Sequence, residues 1–155
     1  MPVAKKLKAF LDEHRVRYYV LKHHEEFTSQ QIAQALHIPG QELAKVVIVK
    51  AGGELIMAVL PASLFVDLDA FARAAGVDHA ELATEEEFKG SFPDCEVGAM
   101  PPFGNLYDMK VLVDKNLTED EEIVFEAGNH KEAIKIAYCD FADLARPTVA
   151  EYAAT

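Results

Sequence analysis

The stretch LAKVVIVKAGGELIMAVL, residues 43–60, decides the fold of this chain. Each half is rich in Val, Ile and Leu, which favour the extended backbone of a strand in the middle of a sheet. Gly52-Gly53 separates the halves, and paired glycines accept the positive φ angles of a tight hairpin turn. We therefore predict a hairpin of residues 43–50 and 55–60, with Lys45 as a cation near the start of its first strand.

Before the hairpin, the sequence predicts two helices separated by a strand. Apolar residues recur at helical spacing over residues 3–14, and the aromatic and β-branched run 17–22 is typical of a strand. Thr28 and Gln31 form a capping-box pattern, which predicts that a second short helix begins there and ends at Ile38-Pro39-Gly40.

After the hairpin, short helices alternate with strands. The predicted helix caps are Asp69, Thr84 (in a capping box with Glu87) and Asp140. Residues 91–107 are predicted as a loop, and further strands are expected at 109–114, 122–126 and 133–138. The short links favour antiparallel pairing. These elements predict one domain over residues 1–155 with a mixed α/β fold: a curved, barrel-like, mostly antiparallel sheet of about six strands with flanking short helices.

Charge is distributed unevenly along the chain. Residues 1–50 carry a net charge of +3 and residues 51–155 a net charge of −14, which gives −11 in total. Such an acidic chain is not suited to general DNA binding, and no apolar run is long enough to cross a bilayer. Cys95 and Cys139 have no metal or redox spacing, which favours a cytoplasmic protein with reduced thiols. The one candidate phosphate-facing cluster, with a solvated helix face as its alternative, is Lys5, Lys6, Lys8, Arg15, Arg17 and Lys22.

A second chemically informative segment is the glycine- and proline-rich stretch VGAMPPFG, residues 97–104. Glycine lets backbone N–H groups approach a ligand closely, and proline keeps the chain rigid. Lys45, for its part, must reach solvent, a counter-charge or a ligand. A cation and a backbone cradle can together polarise a carbonyl or hold an anion. Each feature alone is also compatible with a solvated lysine and an ordinary connecting loop.

Other polar residues offer separate hypotheses. Consecutive residues 23–26, His-His-Glu-Glu, alternate in direction on a strand, so no metal site is predicted there. His130 follows a glycine turn and is either a pocket residue or a turn histidine. Asp114 either orients a substrate or caps the turn at Asn116, and Cys95 lacks the pattern of a nucleophile.

Several of these segments together resemble one known family. The strings AQALHIPG (33–40), AKVVIVK (44–50) and FEAGN (125–129), and the spacing of Gly98 and Pro102, are similar to the YbaK/prolyl-tRNA-synthetase-associated editing domains. The strand that ends in Asp114 also resembles a later motif of that family, and the likeness extends from about residue 15 to residue 145. It implies a mixed sheet rolled into a barrel with flanking helices.

The resemblance also implies an activity. Such proteins are deacylases that hydrolyse the ester of a mischarged tRNA, either in trans or fused to the synthetase. Here the resemblance implies a trans-editing deacylase for a tRNA that carries a small amino acid, expected on a proline tRNA. Lys45 corresponds to the family's essential lysine, Gly98 to the glycine whose N–H holds the ester carbonyl, and Pro102 to the proline that stiffens the loop. A ribose hydroxyl of the terminal adenosine assists the attacking water, and no cofactor is implied. The implied partner is the tRNA acceptor end, with prolyl-tRNA synthetase or an elongation factor as further candidates.

The expected pocket decides which small amino acid is accepted, because its volume excludes larger side chains. The candidate residues for this pocket are Phe27, Met57, Leu60, Met100, Pro102, Asp114 and His130. Two alternatives stay open. One is a non-catalytic module of the same fold that binds aminoacyl-tRNA or a synthetase partner. The other is a metal-dependent hydrolase that uses His23, His24 or His130 and loses its activity on chelation.

Overall fold

The computed structural model describes residues 3–23 and 42–155, so the helix predicted after Thr28 lies outside the described residues. The mixed α/β fold is confirmed, with ten strands in the described residues in place of about six. The helices are α1 (Lys5–Glu13), α2 (Leu68–Ala75), α3 (Glu85–Phe88) and α4 (Tyr138–Ala145). The strands are β1 (Tyr18–Lys22), β2 (Ala44–Ala51), β3 (Glu54–Pro61), β4 (Phe65–Val66), β5 (Ala80–Leu82), β6 (Lys110–Asp114), β7 (Glu122–Glu126), β8 (Glu132–Ala137), β9 (Thr148–Ala150) and β10 (Ala153–Ala154).

The predicted hairpin is confirmed as β2 and β3. The two strands pair antiparallel along their whole length, and Lys45 lies opposite Leu60 near the open end. Gly52 and Gly53 have φ angles of 59° and 83°. These left-handed conformations match the right-handed twist of the two strands that the turn joins.

Part of the sheet pairs in parallel, which the sequence did not predict. The five-stranded sheet has the order β5-β2-β3-β6-β9, and both β3–β6 and β6–β9 are parallel pairs. The expectation of short links was wrong here, because residues 62–109 connect β3 to β6 and leave ample chain for a crossover. Antiparallel pairing still predominates, in five of the seven strand pairs among the described residues.

The predicted barrel is also corrected. A second, antiparallel sheet has the order β1-β8-β7. Among the described residues it is linked to the first sheet by an isolated parallel bridge between Leu43 and Val124, where the Val124 N–H donates to the Glu42 carbonyl at 2.9 Å. A barrel needs a continuous ladder of hydrogen bonds around its circumference. The described strands therefore form two facing sheets and a separate two-stranded pair, not a closed barrel.

Alternation along β2 and β3 divides the core between the two faces of the larger sheet. One face packs under α1 and α4 and includes Ala44, Ile48, Met57, Val59 and Val111. The other face packs under α2 and the C-terminal segment and includes Val49, Ala58, Leu60, Phe71 and Tyr152. Lys45 shares its direction with Val47 and Val49, so it projects from the α2 side.

Helix starts depend on their local caps. Asp67, not Asp69, caps α2 and accepts the Ala70 N–H at 3.1 Å. The capping box at Thr84 is confirmed. The last helix begins at Tyr138, which places Asp140 in its first turn. Among the described residues, no helix has both the length and the apolar character that crossing a membrane requires.

Candidate active site

The tight turn between β7 and β8 forms the base of the candidate site. The Asn129 side-chain oxygen accepts the backbone N–H groups of Lys131 and Glu132, both at 2.8 Å. Gly128 has a φ of 97°. A Cβ at Gly128 would lie only 2.8 Å from the Ala4 Cβ, so the position requires glycine. These contacts make the turn rigid.

A loop of residues 96–103, the glycine loop, docks onto this turn through backbone hydrogen bonds. The Glu96 N–H donates to the Gly128 carbonyl at 2.7 Å, and the Gly128 N–H donates to the Ala99 carbonyl at 2.9 Å. At the far end of the loop, Phe103 is fully buried among aromatic rings. The loop is therefore held at both ends before any ligand arrives.

Gly98 lies at the exposed tip of the glycine loop with a φ of 87°. Its N–H points at the Met100 sulfur at 3.3 Å, and a thioether is a weak acceptor. A Cβ at Gly98 would come within 3.5 Å of the His130 Cε1, so the glycine lies directly beside the imidazole. A ligand oxygen that replaced the sulfur would form a stronger hydrogen bond with this N–H.

Both ring nitrogens of His130 face protein groups. Nε2 lies 2.9 Å from the Val97 carbonyl oxygen. Because a carbonyl can only accept, Nε2 carries the hydrogen. Nδ1 lies 3.4 Å from Oε1 of Glu126. The imidazole therefore holds the glycine loop in place.

Glu126 adds a buried carboxyl group to the site. Within the described residues its Oε1 has no hydrogen-bond partner. Burial, and to a smaller degree the charge of Glu96, raise the pKa of Glu126 to about 8. A proton is therefore retained at the contact between Glu126 and His130 near neutral pH. The sequence pattern did not single out Glu126, although a Glu and a His that flank a Gly-Asn turn are a usable signal.

Lys45 lies near the start of β2, half-buried. Its Nζ lies 4.8 Å from the centre of the Phe65 ring, which is a cation–π contact, and within the described residues it makes no hydrogen bond or ion pair. Burial lowers the pKa of Lys45. Because β2 and β7 run parallel from the Leu43–Val124 bridge, Lys45 and Glu126 each follow that bridge by two residues. The backbone of Lys45 therefore lies level with that of Glu126 along the two strands, while the Lys45 ammonium contacts Phe65.

Asp114 is fully engaged by the protein. Its Oδ2 accepts the backbone and side-chain N–H groups of Asn116, both at 2.9 Å. Its Oδ1 accepts the backbone N–H groups of Tyr152 and Ala153 at 3.0 and 2.9 Å. The predicted cap at Asn116 is confirmed, and the four acceptor positions of this buried carboxylate are filled without a substrate.

The other predicted pocket residues have different positions. Phe27 lies outside the described residues. Met100 and Pro102 are buried within the glycine loop, where they support its tip. Met57 and Leu60 are both 0% exposed and belong to opposite faces of the large sheet, so they do not line one cavity together.

Two other chemistries, a cysteine nucleophile and a metal centre, would need Cys95 or a cluster of metal-ligating side chains. The Cys95 thiol lies 3.4 Å from the Tyr107 hydroxyl, and burial raises the pKa of Cys95 to about 12. The thiolate needed for nucleophilic attack is therefore scarce near neutral pH. Within residues 3–23 and 42–155, no three potential metal-ligating side chains converge, and His24 lies outside these ranges.

The two sheets and the docked glycine loop define a small mixed α/β domain that carries a preorganised backbone donor. Residues 23–144 match the protein family described as the aminoacyl-tRNA editing domain. The chain therefore belongs to the aminoacyl-tRNA editing domain family, and its resemblance to the YbaK-type members is confirmed. A search of curated proteins gave no match.

Solved structures share this fold. A candidate trans-editing enzyme for prolyl-tRNA synthetase has a TM-score of 0.84 at 18% identity, over 100% of this chain and 99% of the other. A hypothetical protein of known crystal structure has a TM-score of 0.86 at 18% identity, over 97% of this chain and 100% of the other. A candidate signal-transduction protein from Marinobacter aquaeolei VT8 has a TM-score of 0.73 at 17% identity, over 97% of this chain and 30% of the other. At these identities the likeness establishes the fold.

Proposed function

We propose that this chain is a trans-acting aminoacyl-tRNA deacylase that hydrolyses the ester of a mischarged tRNA carrying a small amino acid. The observation that carries this proposal is the exposed Gly98 N–H, whose acceptor is the Met100 sulfur at 3.3 Å. The editing-domain family supports an aminoacyl-tRNA as the class of substrate. An ester carbonyl oxygen would be a stronger acceptor for the Gly98 N–H than the Met100 sulfur is.

Hydrolysis begins when water attacks the ester carbonyl, and negative charge then develops on the carbonyl oxygen. The Gly98 N–H would donate to this oxygen in place of the Met100 sulfur. Since the glycine loop is fixed by His130 and Gly128, the donor needs little rearrangement during the reaction. One preorganised donor of this kind contributes on the order of 3 kcal/mol to the stabilisation of the transition state.

Lys45 would supply positive charge to the carbonyl side or to the terminal phosphate. Its contact with Phe65 is worth only about 1 kcal/mol, whereas hydrogen bonds to charged groups contribute about 1.5–3 kcal/mol. The ammonium can therefore exchange the ring for an anionic substrate group. Burial, which lowers the pKa of Lys45, also leaves the ammonium less hydrated and more available to the substrate.

The attacking water needs a base. Cys95 and His130 are unsuitable, because burial keeps the Cys95 thiol protonated and both nitrogens of His130 face protein groups. We assign proton removal to the vicinal ribose hydroxyl of the terminal adenosine, which the substrate itself brings. The water oxygen bonds to the carbonyl carbon as one of its protons passes to the vicinal hydroxyl. That hydroxyl passes its own proton to the esterified ribose oxygen, and the bond between the carbonyl carbon and this oxygen breaks.

A proline tRNA is the first substrate to test, because one structure of the same fold is described as a candidate trans-editing enzyme for prolyl-tRNA synthetase. Alanine, serine and cysteine are the amino acids to compare, since a small pocket excludes larger side chains better than it separates similar ones. Prolyl-tRNA synthetase or an elongation factor would deliver the substrate, in the cytoplasm.

The test is a deacylation panel with wild type, Lys45→Ala and the control Lys50→Ala. Lys50 lies on the same strand and pairs with Glu87 at 2.9 Å. We expect Lys45→Ala to lower kcat/KM by about 100-fold or more while its thermal unfolding stays close to wild type. Lys50→Ala should stay within about threefold of wild type, since exposed ion pairs contribute little. Equal activity of the two variants would contradict the role given to Lys45.

A second function has one observation in its favour. Within the described residues the Lys45 ammonium contacts Phe65 and makes no hydrogen bond to the glycine loop. This arrangement favours a non-catalytic module that binds aminoacyl-tRNA or a synthetase partner. If that is correct, Lys45→Ala weakens binding of a non-hydrolysable 3′-aminoacylamido-RNA, and wild type releases no amino acid at any enzyme concentration.

A further inference from the structure

The described lysines fall into two groups. Six of them pair with carboxylates within 4.0 Å: Lys8, Lys50, Lys89, Lys110, Lys115 and Lys135. Apart from Lys45, the lysines that make no ion pair within the described residues are Lys5, Lys6, Lys22 and Lys131, and all four are exposed. We call these four the lysine cluster, because the fold brings them around the turn that carries His130.

Two members of the cluster are held beside the turn by the start of α1. The Ala4 N–H donates to the Ala127 carbonyl at 2.9 Å, and Ala4 lies against Gly128. Lys5 and Lys6 follow directly and form the first turn of the helix. The backbone that carries them is therefore fixed against the β7–β8 turn.

The other two members are held by β1 and β8. Lys22 lies opposite Glu132 in the backbone register, at the end of the β1–β8 ladder. The His23 N–H donates to the Lys131 carbonyl at 2.8 Å. Lys131 itself follows His130 in the turn. All four lysines are thus attached to one turn by strand pairing or by a backbone hydrogen bond.

This arrangement differs from the basic cluster predicted from the sequence. Lys8 is paired with Asp12 at 2.8 Å. Arg15 and Arg17 precede β1, at the end of that strand opposite Lys22. Lys131, which lies in the acidic part of the chain, joins the cluster through tertiary structure. Four of the five lysines that make no ion pair within the described residues are therefore attached to the turn beside the candidate site.

No ion pair within the described residues offsets the charge of the cluster, although Lys6 Nζ lies 5.3 Å from the centre of the Tyr107 ring. Lys5 and Lys6 lie in the first turn of α1, which has no acidic residue, although the helix dipole disfavours cations there. Two of the nearby carboxylates accept hydrogen bonds from uncharged groups, and Glu96 lies on the glycine loop beside Gly128. Asp94 accepts the Lys6 backbone N–H and the Tyr107 hydroxyl, and Glu132 accepts from the Asn129 side chain. A bound polyanion would supply the missing negative charge.

A cleft of about 370 Å³ lies beside one member of the cluster, and its lining residues are Val3, Lys8, Tyr18, Val20, Lys22 and Glu132. Val3, Tyr18 and Val20 give it apolar walls, while Lys22 and Glu132 add one side chain of each charge. Aromatic and apolar surfaces beside a basic groove are typical of sites for single-stranded nucleic acid. The cleft therefore offers room for a nucleoside next to a phosphate held by Lys22.

We propose that the lysine cluster binds the phosphate backbone of an RNA acceptor end and directs its 3′ terminus to Gly98 and His130. This inference builds on the deacylase function proposed above. RNA is the ligand to which we commit, because the substrate proposed above is an aminoacyl-tRNA. The acidic remainder of the chain disfavours contacts with a polyanion away from this turn. A general nucleic-acid binder contacts phosphates along a broad basic surface, and the net charge of −11 does not provide such a surface.

The test compares two quadruple variants with the same net charge. The first combines Lys5→Gln, Lys6→Gln, Lys22→Gln and Lys131→Gln. The control combines Lys50→Gln, Lys89→Gln, Lys110→Gln and Lys115→Gln, which removes four lysines that already have partners. Binding of a labelled acceptor-stem RNA with a single-stranded 3′ end is measured by fluorescence anisotropy at two salt concentrations.

We expect wild type to lose roughly 100-fold in affinity between about 50 and 200 mM salt, as expected for four phosphate contacts. The cluster variant should bind at least about 10-fold more weakly at low salt and lose most of this salt dependence. The control should stay within about threefold of wild type. Equal behaviour of the two variants would overturn the proposal. Poly-glutamate is measured as a polyanion that is not RNA, and a cluster variant that loses binding to poly-glutamate but keeps binding to RNA would also overturn it.

A substrate without phosphates separates this inference from the deacylase proposal. 3′-O-aminoacyl-adenosine should be hydrolysed equally by wild type and by the cluster variant, while intact aminoacyl-tRNA is hydrolysed at least about 10-fold more slowly by the variant. If wild type hydrolyses neither substrate, the deacylase proposal fails. The RNA-binding comparison still tests whether the lysine cluster binds RNA. If the variant processes tRNA like wild type, the cluster proposal fails alone.

Discussion

Asp114 ends β6 and Glu126 ends β7, and the two largely buried carboxyl groups differ in their hydrogen bonding. Asp114 accepts four hydrogen bonds that tie the C-terminal segment to β6. Glu126 has an oxygen without a hydrogen bond within the described residues, and its pKa is raised to about 8. Buried polar groups are normally satisfied, and the exceptions concentrate at working sites. The contrast separates a carboxylate that stabilises the fold from a carboxyl group that belongs to the candidate site.

The largest expected effect is on the stability of Asp114→Ala. The substitution leaves the buried N–H groups of Tyr152 and Ala153 without an acceptor, and we expect a loss of about 4 kcal/mol in the free energy of unfolding. Urea unfolding measures this loss. The kcat of the remaining folded protein should not change. A variant with normal stability and a strongly reduced kcat/KM would instead place Asp114 at the substrate and break the comparison.

The next effect is the pH dependence of Glu126→Gln. The pKa of Glu126 is raised from 4.5 to about 8, so its contribution to stability is fully present below about pH 4.5 and is lost as the pH rises through 8. Wild type should therefore lose on the order of 3 kcal/mol relative to Glu126→Gln between about pH 5 and pH 9. Urea unfolding across this range measures the difference.

The control for this prediction is Glu122→Gln, at the exposed end of the same strand, where the carboxylate pairs with Lys135 at 3.5 Å. Its difference from wild type should stay flat over the same pH range. If Glu126→Gln also gave a flat difference, the carboxyl group would be ionised throughout. The contrast with Asp114 would then be one of hydrogen bonding alone.

The parts of the fold that follow from local patterns were predicted, and those that depend on long-range pairing were not. The hairpin at Gly52-Gly53 and the capping box at Thr84 are properties of neighbouring residues, so the sequence indicates them directly. Strands β9 and β10 have three and two residues. Such strands exist only because distant strands offer them partners, and no periodicity can develop over so short a length.

The same distinction applies to the candidate site. Gly98 and His130 were found because glycines in a turn or loop are visible in the sequence. Glu126 was not found, because its burial arises only when the glycine loop docks on the turn and brings Glu96 near. Asp114 was found with two possible roles, and only the contacts of Tyr152 and its neighbour decide between them.

A smaller effect is expected when the two positive-φ glycines Gly98 and Gly53 are each replaced by alanine. Their φ angles are 87° and 83°, so each Ala variant should lose about 1 kcal/mol of stability. At Gly53 there is nothing within 4 Å of a new Cβ, whereas at Gly98 it would contact the His130 ring. We expect only Gly98→Ala to lower kcat/KM, by about 10-fold, because the N–H donor shifts with the loop.

Thermal unfolding and single-turnover deacylation together measure both effects. If both variants lose the same stability and only Gly98→Ala loses activity, then Gly53 serves the fold and Gly98 serves the site, as Asp114 and Glu126 do. If Gly53→Ala reduced kcat/KM as much as Gly98→Ala, the loss would follow stability alone, and the N–H of Gly98 would have no special role.

The smallest effect tests whether Lys45 belongs to the same site as Glu126. Phe65 is 62% exposed and contributes a cation–π contact of about 0.5–1 kcal/mol to the resting position of the Lys45 ammonium. If Lys45 leaves this ring to reach the substrate, Phe65→Leu removes a competing contact and should lower KM by about two- to fourfold. In a Lys45→Ala background the same substitution should change nothing, which a double-mutant cycle measures. Leu82→Ala, at another exposed apolar side chain, is the control. If Phe65→Leu instead raises KM, and does so also in the Lys45→Ala background, the Phe65 ring itself contacts the substrate. Lys45 would then be a residue that stabilises the fold, as Asp114 is.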